Sequence, residues 1–155
     1  MPAKVLGDEL PQKVYGLLQT PSPNVVIATV DDDGFPRTAP FDLIYAPTSK
    51  TLYAGISPNH HTYQNIQRDG KVMICVIDHG NIAVGIRGRA RTVKERMQSI
   101  SIPVVIVEIT ILEVKNDALR WAPITQGIRF QVTEERRQAM LEKAWCELVS
   151  FQNQA

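Results

Sequence analysis

The sequence predicts a mainly β fold of the α+β kind, a six-stranded antiparallel barrel with flanking helices. Short runs of β-branched and apolar residues recur along the chain, which is the composition of strands. Turn clusters such as Asp31-Asp32-Asp33-Gly34 and Asp78-His79-Gly80-Asn81 separate them at hairpin spacing. Segments with helical character sit at both ends and between the third and fourth strands. Strands joined by hairpins close into an antiparallel barrel, which hides their edges.

Taken in order, Asp8 to Gln19 places Leu10, Val14, Leu17 and Leu18 on one stripe, so a short amphipathic helix is expected with Pro11 in its first turn. Thr20-Pro21-Ser22-Pro23 ends it. Asn24 to Val30 reads as a buried strand, and Asp33-Gly34 supplies the positive φ of a hairpin turn. The return strand is expected from Phe35 to Tyr45, then a loop over Ala46–Lys50 and a strand over Thr51–Ile56. Lys71–Ile77 is almost continuously apolar, the mark of a strand covered on both faces. Strands follow at Ile82–Thr92 and Val104–Val114, while Lys94–Ser101 and Asn116–Val132 carry no clear period. Glu134–Phe151 reads as a helix, with Thr133 as its N-cap and Met140, Leu141, Ala144, Trp145, Leu148 and Val149 on a broad apolar face.

Length and composition bound the rest. One domain over residues 1–155 can bury a hydrophobic core, and 44% apolar with 21% charged residues is ordinary for a globular chain. A formal net charge of +1 gives no global field to gather nucleic acid or an acidic membrane. Cys75 and Cys146 form no CxxC pair and read as buried thiols of a reducing compartment. With no apolar leader and no membrane-length apolar run, a cytoplasmic location is expected.

The most informative stretch is Ser57-Pro58-Asn59-His60-His61-Thr62. Ser57 is a natural N-cap and Pro58 suits the first helical position. The amides of Asn59, His60 and His61 would then sit unpaired at the positive end of the helix dipole, a place for a phosphate. The competing reading is an ordinary capped helix. Adjacent histidines without a carboxylate at ligand spacing do not make a metal site. Arg87-Gly88-Arg89-Ala90-Arg91 puts its arginines on one strand face, either as a solvated face paired with acidic neighbours or as an anion patch. Pro40, within Arg37-Thr38-Ala39-Pro40-Phe41-Asp42, is expected to remove a ladder donor and mark an edge strand. Trp145 is expected in the core and Trp121 in a more open setting. No P-loop, catalytic triad order or paired carboxylates stand out, so no catalytic residue is assigned and redox chemistry would need a cofactor.

Across roughly Val25 to Val93, the order of these features resembles the pyridoxamine 5′-phosphate oxidase-like family of FMN-binding split barrels. His60-His61-Thr62-Tyr63-Gln64-Asn65-Ile66 is similar to the family pattern His-Lys-Thr-x-x-Asn-[Val/Ile], departing from it at His61. The resemblance implies a split barrel that is an FMN-dependent oxidoreductase acting on a small molecule. It implies that His61 and Thr62 face the FMN phosphate, with Ser57 and His60 in the same pocket. Thr38, Ala39, Pro40 and Phe41 would lie along the ring and ribityl chain. It further implies a homodimer with cofactor sites at the interface, to which Trp121 and Gln126 are the candidate second-chain contributors. The alternatives are a non-catalytic flavin- or haem-binding carrier or stress protein, a reductase using the deazaflavin F420, and an interaction module working through Arg87–Arg91. Tyr63 and Arg89 are the nearest candidates for a proton or anion partner.

Overall fold

A computed structural model describes residues 4–21 and 23–152. Met1–Ala3, part of the N-terminal stretch read above, and Ser22 of the expected break lie outside the described residues. The chain runs β1 (Lys4–Gly7), α1 (Gln12–Leu17), β2 (Val25–Val30), β3 (Pro36–Phe41), β4 (Ile44–Thr48), β5 (Thr51–Ile56), α2 (His61–Asp69), β6 (Lys71–Asp78), β7 (Ile82–Lys94), β8 (Val105–Asn116) and α3 (Glu135–Ser150). The strands form one antiparallel sheet in the order β3-β2-β6-β7-β8-β5-β4, with β1 added to β8.

The strand count is eight, not six. The expected return strand Phe35–Tyr45 breaks at Asp42-Leu43, and its second half turns away as β4 to pair with β5 through Ile44↔Ala54 and Tyr45↔Tyr53. The expected loop at Ala46–Lys50 is therefore strand as far as Thr48. Pro47 sits within it at a register shift, where a missing N–H removes no ladder bond. The β1 strand has an exposed face throughout and too few apolar residues to be read as strand from sequence.

The barrel interior is built on the two-residue period. Ile27 pairs with Ile74, Ile74 with Ile86, and Ile86 with Val114, and all four are fully buried. Each such side chain contributes about 1.5–3 kcal/mol over its exposed state. α3 covers a second cluster, where Ala144 and Leu148 pack with Leu43, Tyr53, Met97 and Ile106. Trp145 joins it edge-on to Tyr45, as expected for a core residue. Glu134, not Thr133, occupies the N-cap position of α3, and its side chain makes no capping bond. Glu147 ties the helix down: it takes Lys94 Nζ at 2.8 Å, the Ser99 amide at 2.7 Å and the Gln98 amide at 2.9 Å.

The outer face of the sheet departs from expectation in a useful way. β6 alternates strictly, so Val72, Ile74 and Val76 are buried while Met73, Cys75 and Ile77 face out uncovered. Beside Met73 lie Ala28 of β2 and, beyond it, Thr38 of β3; beside Cys75 lies Val26, then Pro40. A strand read as covered on both faces is covered on one within a single chain. Both cysteines, expected to be buried, are exposed. Cys75 follows the pleat outward, and Cys146 lies off the packed face of α3.

Candidate functional site

α2 begins three residues later than its sequence predicts. The His60 amide donates to the Ser57 carbonyl at 3.1 Å, closing a turn with Pro58 in its second position, which proline's fixed φ favours. Ser57 Oγ accepts only the Asn59 amide, at 3.4 Å. The N-cap is His60, whose Nδ1 accepts the Thr62 amide at 3.1 Å. The amide of His61 is left without a partner among the described residues, at the positive end of the helix. His61 itself is exposed and Thr62 is fully buried, its Oγ1 without a hydrogen-bond partner. A buried hydroxyl left unpaired costs free energy, so this atom marks a place where a partner is missing.

β3 runs beside this point. The ring of Phe41 meets that of His60 edge-on at 5.3 Å. At the other end of β3, Arg37 pairs in register with Thr29, and both face α2. Asn65 of α2 donates to Thr29 Oγ1 and to Asp31 Oδ1, each at 2.9 Å. Asp31 in turn receives Arg37 Nε at 2.9 and 2.8 Å and Arg37 Nη2 at 2.8 Å. Arg68 donates to Asn65 Oδ1 at 2.8 Å and to the Val30 carbonyl. One guanidinium thus clasps the carboxylate directly, and a second, Arg68, is joined to it through Asn65 at the middle and end of the helix. Arg37 and then Asn65 hold the Asp31 carboxyl down at about 2. Burial, then His61 and Arg37, push the His60 imidazole below its ordinary value.

β3 is the terminal strand of the sheet, so one edge is open. Its prolines do not interrupt the ladder as expected. The Asp31 amide bonds the Phe35 carbonyl at 2.8 Å, and hydrogen-bonded pairs alternate from there through Thr29/Arg37, Ile27/Ala39 and Val25/Phe41. Pro36 and Pro40 fall on the positions that point away from β2, so no ladder bond is lost. Thr38 and Pro40 are exposed, whereas Ala39 and Phe41 turn into the core.

The other sequence candidates lie elsewhere. The Tyr63 hydroxyl is buried against Thr92 Oγ1 at 2.8 Å, which directs it into the barrel. Arg87, Arg89 and Arg91 share the outward face as expected; Arg91 pairs with Glu108 at 3.0 Å and Arg87 with Glu113 at 3.8 Å. Arg89 reaches the Asp69 carbonyl at 3.5 Å, so this row is a paired sheet face. Trp121 is 83% exposed and Gln126 is exposed. Their segment has no regular structure, yet it is fastened. Asn81 bonds the Ile124 amide and carbonyl and the Leu119 carbonyl, and Arg129 bonds buried Asp78 at 2.8 Å. His79, a turn residue with little meaning in sequence, lies 2.8 Å from the same carboxylate. No group of His, Cys, Asp or Glu able to hold a metal occurs among the described residues, and no described helix is long and apolar enough to cross a membrane.

Asn65 belongs to the His60–Ile66 pattern, but no sequence pattern ties its partners Asp31 and Arg68 to it. Their grouping depends on the β2–β3 hairpin meeting the middle of α2, a contact between residues more than thirty positions apart.

Comparison with known proteins agrees with this fold. A sequence profile described as pyridoxamine 5′-phosphate oxidase matches residues 11–137. A protein of Lactobacillus delbrueckii assigned as a pyridoxamine 5′-phosphate oxidase is 24% identical, with a TM-score of 0.61 over 72% of this chain and 98% of that one. An F420 reductase is 18% identical, with a TM-score of 0.58 over 68% and 98%. An FAD-binding protein of Mesorhizobium loti is 18% identical, with a TM-score of 0.53 over 74% and 96%. No curated protein matches in sequence.

Proposed function

Because the chain belongs to the pyridoxamine 5′-phosphate oxidase family, we propose that it is an FMN-dependent oxidoreductase acting on a small molecule. The observation that carries this reading is the partnerless His61 amide at the positive end of α2, with the cation Arg37 within electrostatic reach of the neighbouring His60. The two together suit a phosphate monoester dianion. The orphaned Thr62 hydroxyl supports it, since a phosphate oxygen against the first turn supplies the missing partner. Ser57, exposed at the preceding turn, is assigned to the same site in this reading. Thr38 and Pro40 offer the exposed rim of β3 to the ring and ribityl chain, while Ala39 and Phe41 contribute backbone and form the wall behind.

Bound flavin would supply the hydride or electron transfer; the chain supplies binding, orientation and exclusion of water. The outward Thr38 backbone is free to hydrogen-bond a flat ligand at the open edge. The solved relative named as an F420 reductase keeps the deazaflavin F420 as the alternative cofactor, and haem is the third alternative in this reading.

The partner in this reading is a second copy of the chain. Met73, Ile77 and Leu112 are 43%, 38% and 47% exposed on the outer sheet face, where Met73 and Leu112 join Ala28, Val30 and Pro36 in lining a cleft of about 370 Å³ rimmed by Lys71, Arg87 and Arg89. Apolar patches of this kind mark association surfaces. Since Thr38 and Pro40 border the same face, the second copy completes the cofactor site, with Trp121 and Gln126 as its contribution.

The test is the absorbance spectrum of the freshly purified protein, before and after adding FMN, followed by exposure to NADH or NADPH. The expected result is a bound flavin spectrum that bleaches with a nicotinamide donor. A colourless protein that takes up no FMN contradicts the proposal, and a bound flavin that no donor bleaches favours the carrier alternative.

A further inference from the structure

We infer that His60 is a positioning residue, a neutral cap that holds the first turn of α2 in its ligand-binding form, and not a cationic ligand of the phosphate. The inference deepens the FMN reading and rests on it for its ligand. Its geometry stands alone. Nδ1 of His60 accepts the Thr62 amide at 3.1 Å, so that nitrogen carries no proton. The single proton of the neutral ring is then on Nε2. Adding a proton to Nδ1 turns the acceptor into a donor facing an N–H, and the cap bond is lost.

Histidine is not among the usual capping residues, and the local alternative is already committed. Ser57 Oγ accepts the Asn59 amide instead. From the other side the ring is held edge-on by Phe41 of β3. The residue whose amide His60 holds is Thr62, the same residue whose hydroxyl is buried without a partner. Losing the cap would therefore loosen the His61 amide and the Thr62 hydroxyl together, the two groups with unspent hydrogen-bonding capacity at the site.

The charged groups facing His60 are His61 from its own helix and Arg37 from β3. Asp31, at the end of β2, is engaged by Arg37 and Asn65. Burial and those two neighbouring groups disfavour the imidazolium, which agrees with the capping geometry.

The sign of the pH dependence separates the two roles. A cationic imidazole ligand tightens phosphate binding as pH falls. A neutral cap weakens it, because the proton and the ordered helix start compete. FMN also loses phosphate charge near pH 6, so the informative quantity is a ratio at each pH. His60→Asn keeps a capping acceptor that does not titrate.

The experiment measures FMN dissociation constants by flavin fluorescence for the full-length wild type and His60→Asn, from about pH 8 to about pH 5.5, across the histidine range. The ratio cancels the ionisation of FMN. The expected result is near-equal affinity at the alkaline end and wild type progressively weaker toward the acid end, by less than about tenfold, because burial already disfavours the imidazolium. A constant ratio, or wild type gaining on the variant as pH falls, overturns the inference. A second readout does not depend on flavin: imidazole ¹⁵N shifts of the ligand-free full-length protein near neutral pH. An unprotonated Nδ1 and protonated Nε2 on His60 are expected, and an Nδ1–H tautomer or a charged ring overturns the cap. The expected tautomer in a protein that binds no FMN at any pH upholds the cap and contradicts the cofactor reading instead.

Discussion

Arg37 grips Asp31 through Nε and Nη2, all three contacts lying between 2.8 and 2.9 Å, and leaves its Nη1 without a partner among the described residues. The carboxylate acts as a splint: it fixes the guanidinium plane and leaves one donor spare. Arg37→Ala is expected to weaken FMN binding by about tenfold to a hundredfold, the scale of a charge-assisted hydrogen bond. Arg37→Lys should recover little of it, since an ammonium cannot copy the forked geometry. Isothermal titration with FMN checks both. Asp31 is held at about 2, below its unfolded value near 3.8, so the pair's contribution is complete above that range and fades as pH falls toward 2.

Glu147 fastens α3 to the segment between β7 and β8. Burial pushes its carboxyl up, but Lys94, Ser99 and Gln98 outweigh burial and hold it at about 2, against an ordinary value of 4.5. A depressed carboxylate stabilises the fold above the unfolded value and stops doing so as pH falls from about 4.5 to about 2. Glu147→Gln is expected to cost about 2 kcal/mol in urea unfolding near neutral pH and to remove that acid-limb dependence. Hydrogen exchange at the Gln98 and Ser99 amides should accelerate in the same variant.

How far the sequence could be read depended on the range of each interaction. Strands resting on their own period and turns, such as Lys71–Asp78 and Val105–Asn116, were legible. The split of Phe35–Tyr45 was not, because β4 is defined by its partner β5 and not by any break in its own composition. The start of α2 was misplaced by three residues, since Ser-Pro suits a β-turn as well as a helix cap and the choice fell to the His60 ring. Arg37 lay in a recognised stretch, but its role comes from Asp31 across the hairpin and Asn65 across the barrel. β6 was the most telling case. Its continuous apolar run describes a strand covered twice, and a single chain covers it once.

Gly127 lies against the end of β6 with no space for a side chain. A Cβ there would fall 2.5 Å from the Ile77 carbonyl oxygen and 2.8 Å from Asp78 Cγ. Gly127→Ala is expected to lift the segment carrying Trp121 and Gln126 and to strain the Arg129–Asp78 bond, costing about 1–3 kcal/mol. Thermal unfolding measures the cost. If Trp121 serves the second copy's site, FMN affinity falls in the same variant and the Trp121 emission changes on FMN addition in wild type only.

Met73 stands at the centre of the uncovered apolar face, between Ala28 and Arg87 in the lateral row. Met73→Glu puts a charge into the proposed contact between copies at little cost to the single chain, since the position is exposed. Sedimentation velocity is expected to show wild type as a dimer and the variant as a monomer with weakened FMN binding. A wild type that sediments as a monomer contradicts the interface.

The phosphate site at the start of α2 is tested most directly by comparing FMN with riboflavin, which carries the same ring and ribityl chain without the phosphate. Fluorescence titration of the wild-type protein should show FMN binding at least about a hundredfold tighter, as expected for a dianion held by a guanidinium and a helix terminus. Equal affinities for the two flavins would contradict a phosphate seat formed by Arg37, the His61 amide and Thr62.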